Sequence, residues 1–76
     1  MRQLILHVAR GLVREPGKVR VHEVDEDGTT VLELEVAPND VGRVVGREGR
    51  TAHALRVLVE ALARRRGDRV ELEILG

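Results

Sequence analysis

Apolar residues recur at three- and four-residue spacing near the start of the chain, at Leu4, Ile5, Val8 and Leu12. That period predicts an amphipathic helix of roughly three turns, stopped by Pro16-Gly17. The period then shortens to two. Val19 and Val21 alternate with Arg20 and His22, which predicts a strand, and Asp25-Glu26-Asp27-Gly28 supplies a turn with glycine where a positive φ is needed. Leu32, Leu34 and Val36 alternate with Glu33 and Glu35 in a second strand, close enough to the first to form an antiparallel hairpin. Ala37-Pro38-Asn39-Asp40 opens a short helix, with proline at its first position and an acid in its first turn. On that helix Val41, Val44 and Val45 are expected to face the protein core, and Gly42 leaves room for a close approach. A longer helix follows from about Arg50 to Arg66 and ends at Gly67. Val70, Leu72 and Ile74 alternate with Glu71 and Glu73 in a last strand.

The order is therefore α-β-β-α-α-β, an α+β chain. Two helices separate the second and third strands, so these can lie parallel and adjacent through a right-handed crossover. A three-stranded mixed sheet with helices on one face is expected. Glu33, Glu35, Glu71 and Glu73 then share a wet, acidic face. No linker, repeat or low-complexity stretch interrupts residues 1–76, which read as one domain.

The long helix carries more apolar surface than one-sided packing needs. Ala52, Leu55, Val59 and Leu62 form a stripe suited to the sheet. Ala54, Val57, Leu58 and Ala61 widen the arc to roughly two-thirds of the circumference. Either the first helix covers this second set or a partner does, and a homodimer interface is the expected use.

Composition removes most chemistries. The chain has no cysteine, so no disulfide or thiolate metal site can form, and it has no phenylalanine, tyrosine or tryptophan. Serine is also absent. Thr29, Thr30 and Thr51 carry the only side-chain hydroxyls, which argues against nucleophilic catalysis. His7, His22 and His53 fall on a helix, a strand and a helix with no chelating spacing, so no metal and no cofactor are expected. No apolar run could span a bilayer, and Met1-Arg2-Gln3-Leu4 lacks the apolar core of a signal peptide. A cytoplasmic protein without a membrane partner is expected.

Formal net charge is zero, but the charge is segregated. Between Val41 and Arg66 stand seven arginines (43, 47, 50, 56, 64, 65 and 66) against Glu48 and Glu60. Between Glu15 and Asp40 stand eight acids against Lys18 and Arg20. A polyanion responds to the local field rather than to the total. Arg64, Arg65 and Arg66 are accounted for by the C-terminus of the long helix. Arg43, Arg47 and Arg50 are not, for they crowd around a turn bounded by Gly46 and Gly49.

That turn is the one candidate site. Two helix termini meet there, and unpaired N–H groups at the start of a helix beside arginines suit a phosphodiester backbone. It is neither a dinucleotide fingerprint, since no G-x-G follows a strand, nor a Walker loop, since no Gly-Lys-Ser/Thr is present. Strand, helix, G-x-x-G, helix, strand is the minimal KH unit, here about residues 29–75, and Val45-Gly46-Arg47-Glu48-Gly49 resembles its V/I-G-x-x-G signature. With a helix and strand placed before that unit, the chain resembles the type II arrangement. Its length and the run from Pro38 to Thr51 resemble the small single-domain bacterial RNA-binding family called KhpA. Glu48 departs from the basic or neutral residue common in that family.

The resemblance implies a post-transcriptional regulator or RNA chaperone that binds single-stranded RNA. The turn would contact the backbone of about four nucleotides while the bases lie between helix and sheet. Arg43, Val45, Gly46, Arg47, Glu48, Gly49 and Arg50 would form the site. It also implies self-association and pairing with a larger KH-containing bacterial protein. Two other readings stand beside it. One is a helix-turn-helix that reads DNA with Arg50 to Arg66, although such all-helical cores do not need the strands. The other is a dimerisation module with a vestigial turn.

Overall fold

A computed structural model describes residues 1–76. Helix α1 spans Arg2–Leu12, strands β1 and β2 span Arg20–Glu26 and Thr29–Glu35, and helices α2 and α3 span Val41–Val45 and Arg50–Arg66. Strand β3 runs over Val70–Leu75, and short 3-10 turns occupy Pro16–Lys18, Pro38–Asp40 and Arg47–Gly49.

The sheet order is β1-β2-β3. β1 and β2 pair antiparallel from Arg20 opposite Glu35 to Glu26 opposite Thr29. β2 and β3 pair parallel, with Leu32 opposite Leu72. A parallel pair needs a long connection, and α2 with α3 supplies it. The expected mixed sheet is thus the observed one. Ile5, Leu6 and Ala9 of α1, Val44 of α2 and Leu55 and Val59 of α3 join Val21, Leu32, Leu34 and Leu72 in one core. All three helices therefore lie on the same face of the sheet. Glu71 and Glu73 are exposed on the other, with Val24 and Val31 forming a small apolar pair between the strands.

Several boundaries moved. α1 ends at Leu12, well before Pro16, because Val13 turns extended (φ −97°, ψ 163°) after its N–H closes on Ala9. β1 continues through Asp25 and Glu26, which the alternation assigned to the turn. The turn itself is only Asp27-Gly28, both at positive φ (51° and 87°), as a two-residue type I′ hairpin requires. Beyond Val21 no residue of β1 is buried, so backbone pairing rather than side-chain packing carries that half of the strand. Pro38 opens a 3-10 turn instead of α2. In α3 the buried stripe is Ala52, Leu55, Val59 and Ala63, while Leu62 is half-buried. At 100° per residue Ala63 falls close to the line through Ala52 and Val59, whereas Leu62 falls well to one side. Gly67 (φ 75°) closes α3, with Asp68 N–H donating to the Ala63 carbonyl at 2.9 Å, the Schellman geometry.

Candidate nucleic-acid interface

The turn between α2 and α3 owes its shape to three residues at positive φ. Gly46 sits at φ 77°, ψ 175°, and its N–H donates to the Gly42 carbonyl at 2.9 Å. That combination of angles is open almost only to glycine. Glu48 (φ 55°, ψ 25°) and Gly49 (φ 74°, ψ 12°) are both left-handed. The Gly49 N–H returns to the Gly46 carbonyl at 3.1 Å. The chain reverses within four residues and leaves Arg47 and Glu48 exposed at the corner, and the Arg50 N–H that opens α3 closes on the Arg47 carbonyl.

The two glycines have different reasons. A Cβ at Gly46 would stand 2.7 Å from the Cβ of Thr51 and nearer still to its hydroxyl. Nothing lies within 4 Å of a Cβ built at Gly49 or at Gly42. Gly49 is thus needed for its backbone angles, and the side of Gly42 is open to whatever approaches from solvent.

The three arginines that crowd the turn are not equivalent. Arg43 Nε lies 3.3 Å from Asp40 Oδ1. Arg50 Nη2 lies 3.4 Å from Glu48 Oε2, both side chains being exposed. Arg47 makes no ion pair, so it is the one guanidinium at the turn without a competing carboxylate. Val45 is half-buried and Val44 fully buried. Of the valines of α2, Val44 alone is a full core residue.

Asp40 is a structural element that the sequence did not disclose. It is the only buried charged residue of the chain. Its carboxylate accepts the Arg14 N–H on Oδ1 and the Glu15 N–H on Oδ2, each at 3.0 Å. It therefore fastens the α1–β1 connection to the start of α2. The Arg14 N–H holds its carboxyl below the ordinary range, against the upward push of burial, with help from the Glu15 N–H and the charges of Arg43 and Arg14. An aspartate at the head of a helix reads equally well as a helix-dipole acid, so nothing in the pattern marked it as a buried latch.

Ala54, Val57, Leu58 and Ala61 stand apart from the turn, on the flank of α3. Val57 is 50% and Leu58 39% exposed, so α1 does not cover this face. Glu60 and Arg64 help line an open depression of about 370 Å³ at the far end of α3, among Thr29, Asp68 and Arg69. Neither this depression nor a second one near Lys18 and Pro38 reaches the glycine turn. No helix is long and apolar enough to cross a membrane.

Two helices joined by Gly-x-x-Gly, bracketed by parallel strands and preceded by a helix and an antiparallel strand, define a type II KH domain. The chain belongs to the KhpA/KhpB KH-domain family, whose model matches residues 2–74. It is 45% identical over 75 residues to the RNA-binding protein KhpA of Halalkalibacterium halodurans, covering 99% of each chain. Proteins of the same name from Clostridium acetobutylicum and Aquifex aeolicus are each 43% identical over 75 residues. Those alignments cover 99% of this chain and 100% and 95% of the relatives.

Proposed function

We propose that this chain is a non-enzymatic cytoplasmic RNA-binding protein, a post-transcriptional regulator or RNA chaperone, and that it grips single-stranded RNA by its backbone at the Gly46–Gly49 turn. The observation that carries the reading is the turn itself. Glycines stand at both ends in conformations closed to most side chains, and an unpaired Arg47 points the exposed corner toward anions. The names of the relatives, each an RNA-binding protein, support the same class of ligand.

Backbone amides at the turn take the phosphates, and Arg47 adds screened attraction, with Arg43 and Arg50 contributing what their carboxylate partners leave. The aliphatic flank beside Val45 receives bases without a platform of Phe, Tyr or Trp, none of which the chain has. The acidic sheet face keeps RNA to the helical side. Residues 1–76 act as one KH domain in this scheme.

The exposure of Val57 and Leu58 favours a second, compatible activity, association through α3. A two-fold homodimer would cover these side chains, and a larger KH-containing bacterial protein could meet the same face.

Titration of short single-stranded RNA, duplex RNA and duplex DNA at several salt concentrations tests the proposal. Binding should favour the single strand and decline gently with salt, by about 0.7 in log–log slope for each phosphate neutralised. A groove for about four nucleotides holds two or three such contacts. Tight, steeply salt-dependent binding to duplex DNA would reject the proposal in favour of a helix-turn-helix activity.

A further inference from the structure

We infer that the RNA-binding surface extends beyond the glycine turn, along α2 to Arg14, where a second phosphate is held between the guanidinium groups of Arg14 and Arg43. The inference rests on the RNA-binding reading of the turn and deepens it.

Arg14 belongs to the connection between α1 and β1, remote from the turn in sequence. Asp40 brings it into range. One carboxylate oxygen, Asp40 Oδ1, takes both the Arg14 N–H at 3.0 Å and the Arg43 Nε at 3.3 Å. Arg14 is anchored on that buried atom by its main chain and Arg43 by its side chain, so the two residues are fixed side by side. Arg43 commits only its Nε, so the N–H groups of its two terminal nitrogens remain for a ligand. Arg14 is exposed and its guanidinium makes no ion pair. The acid next to it, Glu15, is turned to Lys18 at 3.4 Å.

The local charge balance is what calls for an anion. The Arg43 guanidinium is in contact with the carboxylate and the Arg14 charge also acts on it, and that carboxylate is shielded, with 2% of its side chain exposed. A ligand arriving from solvent meets the half-exposed Arg43 guanidinium rather than the acid it pairs with. α2 is five residues long, so its ends are separated by roughly 7 Å. A backbone held at the turn covers that distance by continuing a nucleotide or two. Asp40 is then a positioning residue: it touches no RNA and holds the main chain of Arg14 and the side chain of Arg43, the two residues that do.

The test compares Arg14→Gln and Arg14→Lys with the parent chain, using oligouridines of four and eight nucleotides followed by NMR titration over a range of salt. Arg14 is exposed, so both variants keep the fold. Arg14→Gln should bind the octamer several-fold more weakly, with a salt slope shallower by about 0.7, and bind the tetramer as the parent does. Arg14→Lys should restore the octamer slope, because a point charge suffices for a phosphate. An unchanged octamer affinity and slope in Arg14→Gln would overturn the inference. So would an equal loss for both oligomers without a change of slope, which marks an indirect effect on the turn. An Arg47→Asp/Glu48→Asp control separates the two levels. If that control binds normally, the turn itself is not the site; if it loses binding while Arg14→Gln does not, only the extension fails.

Discussion

Gly46 faces Thr51 across the start of α3 so closely that a single added carbon would meet the threonine side chain. The pair joins the helix-to-helix reversal to the first turn of α3, and glycine is the residue that lets the two segments come together. Gly46→Ala should therefore destabilise the fold by more than Gly49→Ala. The second change meets no neighbour and adds only left-handed strain, about 1–2 kcal/mol. Urea midpoints at a common slope will rank the two; equal losses would remove the Thr51 contact as a cause.

Arg47→Asp combined with Glu48→Asp should abolish RNA binding and leave the far-ultraviolet dichroism of the parent. Both side chains are exposed, and aspartate tolerates the left-handed angles of position 48 better than most residues. Two carboxylates facing phosphates replace attraction by repulsion. Retained binding at moderate salt would move the site away from the turn.

Glu48→Asn should strengthen both folding and binding. A glutamate at φ 55° stores strain that asparagine relieves, worth roughly 0.5–1 kcal/mol out of the usual left-handed cost. The same change removes a negative charge from the phosphate path and frees Arg50, which Glu48 now engages at 3.4 Å. A higher thermal midpoint with tighter RNA binding is the expected pair of results; weaker binding would mean that Glu48 itself helps to recognise the ligand.

Asp40 sets an acid limit on stability. Its carboxyl is held below the ordinary 3.8 in the folded protein, so the folded state binds that proton less readily than the unfolded chain. The sign follows from linkage: the contribution is complete above the unfolded value and is lost as pH falls through the folded one. Asp40→Asn should be less stable than the parent at neutral pH, with the difference narrowing in strong acid. Urea unfolding across the carboxylate range measures this directly. A gap that stays constant with pH would show that the charge of Asp40 contributes nothing.

Leu58→Glu tests the α3 face. Fully burying one leucine is worth about 1.5–3 kcal/mol, and a two-fold axis would count each contact twice. The variant should be a folded monomer, since a carboxylate at a former interface returns to water. Its RNA binding should persist, weakened only by lost avidity. Sedimentation decides the outcome: an unchanged dimer places the interface elsewhere, and a parent that is already monomeric removes the homodimer altogether.

Local sequence alone determined the order of helices and strands, the acidic outer face of the sheet and the glycine turn, because each is written in residues adjacent along the chain. Leu32, Leu34 and Leu72 announce their strands by alternation, and Gly46 and Gly49 announce positive φ by their lack of a Cβ. The length of β1 was not legible, since its outer half is held by backbone pairing to β2 and no side-chain pattern records a backbone hydrogen bond. Nor was the difference among Arg43, Arg47 and Arg50, which look alike in a row of basic residues. Only folding brings Asp40 beside Arg14 and Glu15, residues more than twenty positions earlier, and so assigns one arginine to a buried carboxylate and leaves another free. Spacing along the chain reports the contacts within one element. Which charges meet across elements is decided by packing, which puts a carboxylate out of water only where donors from elsewhere in the chain arrive to receive it.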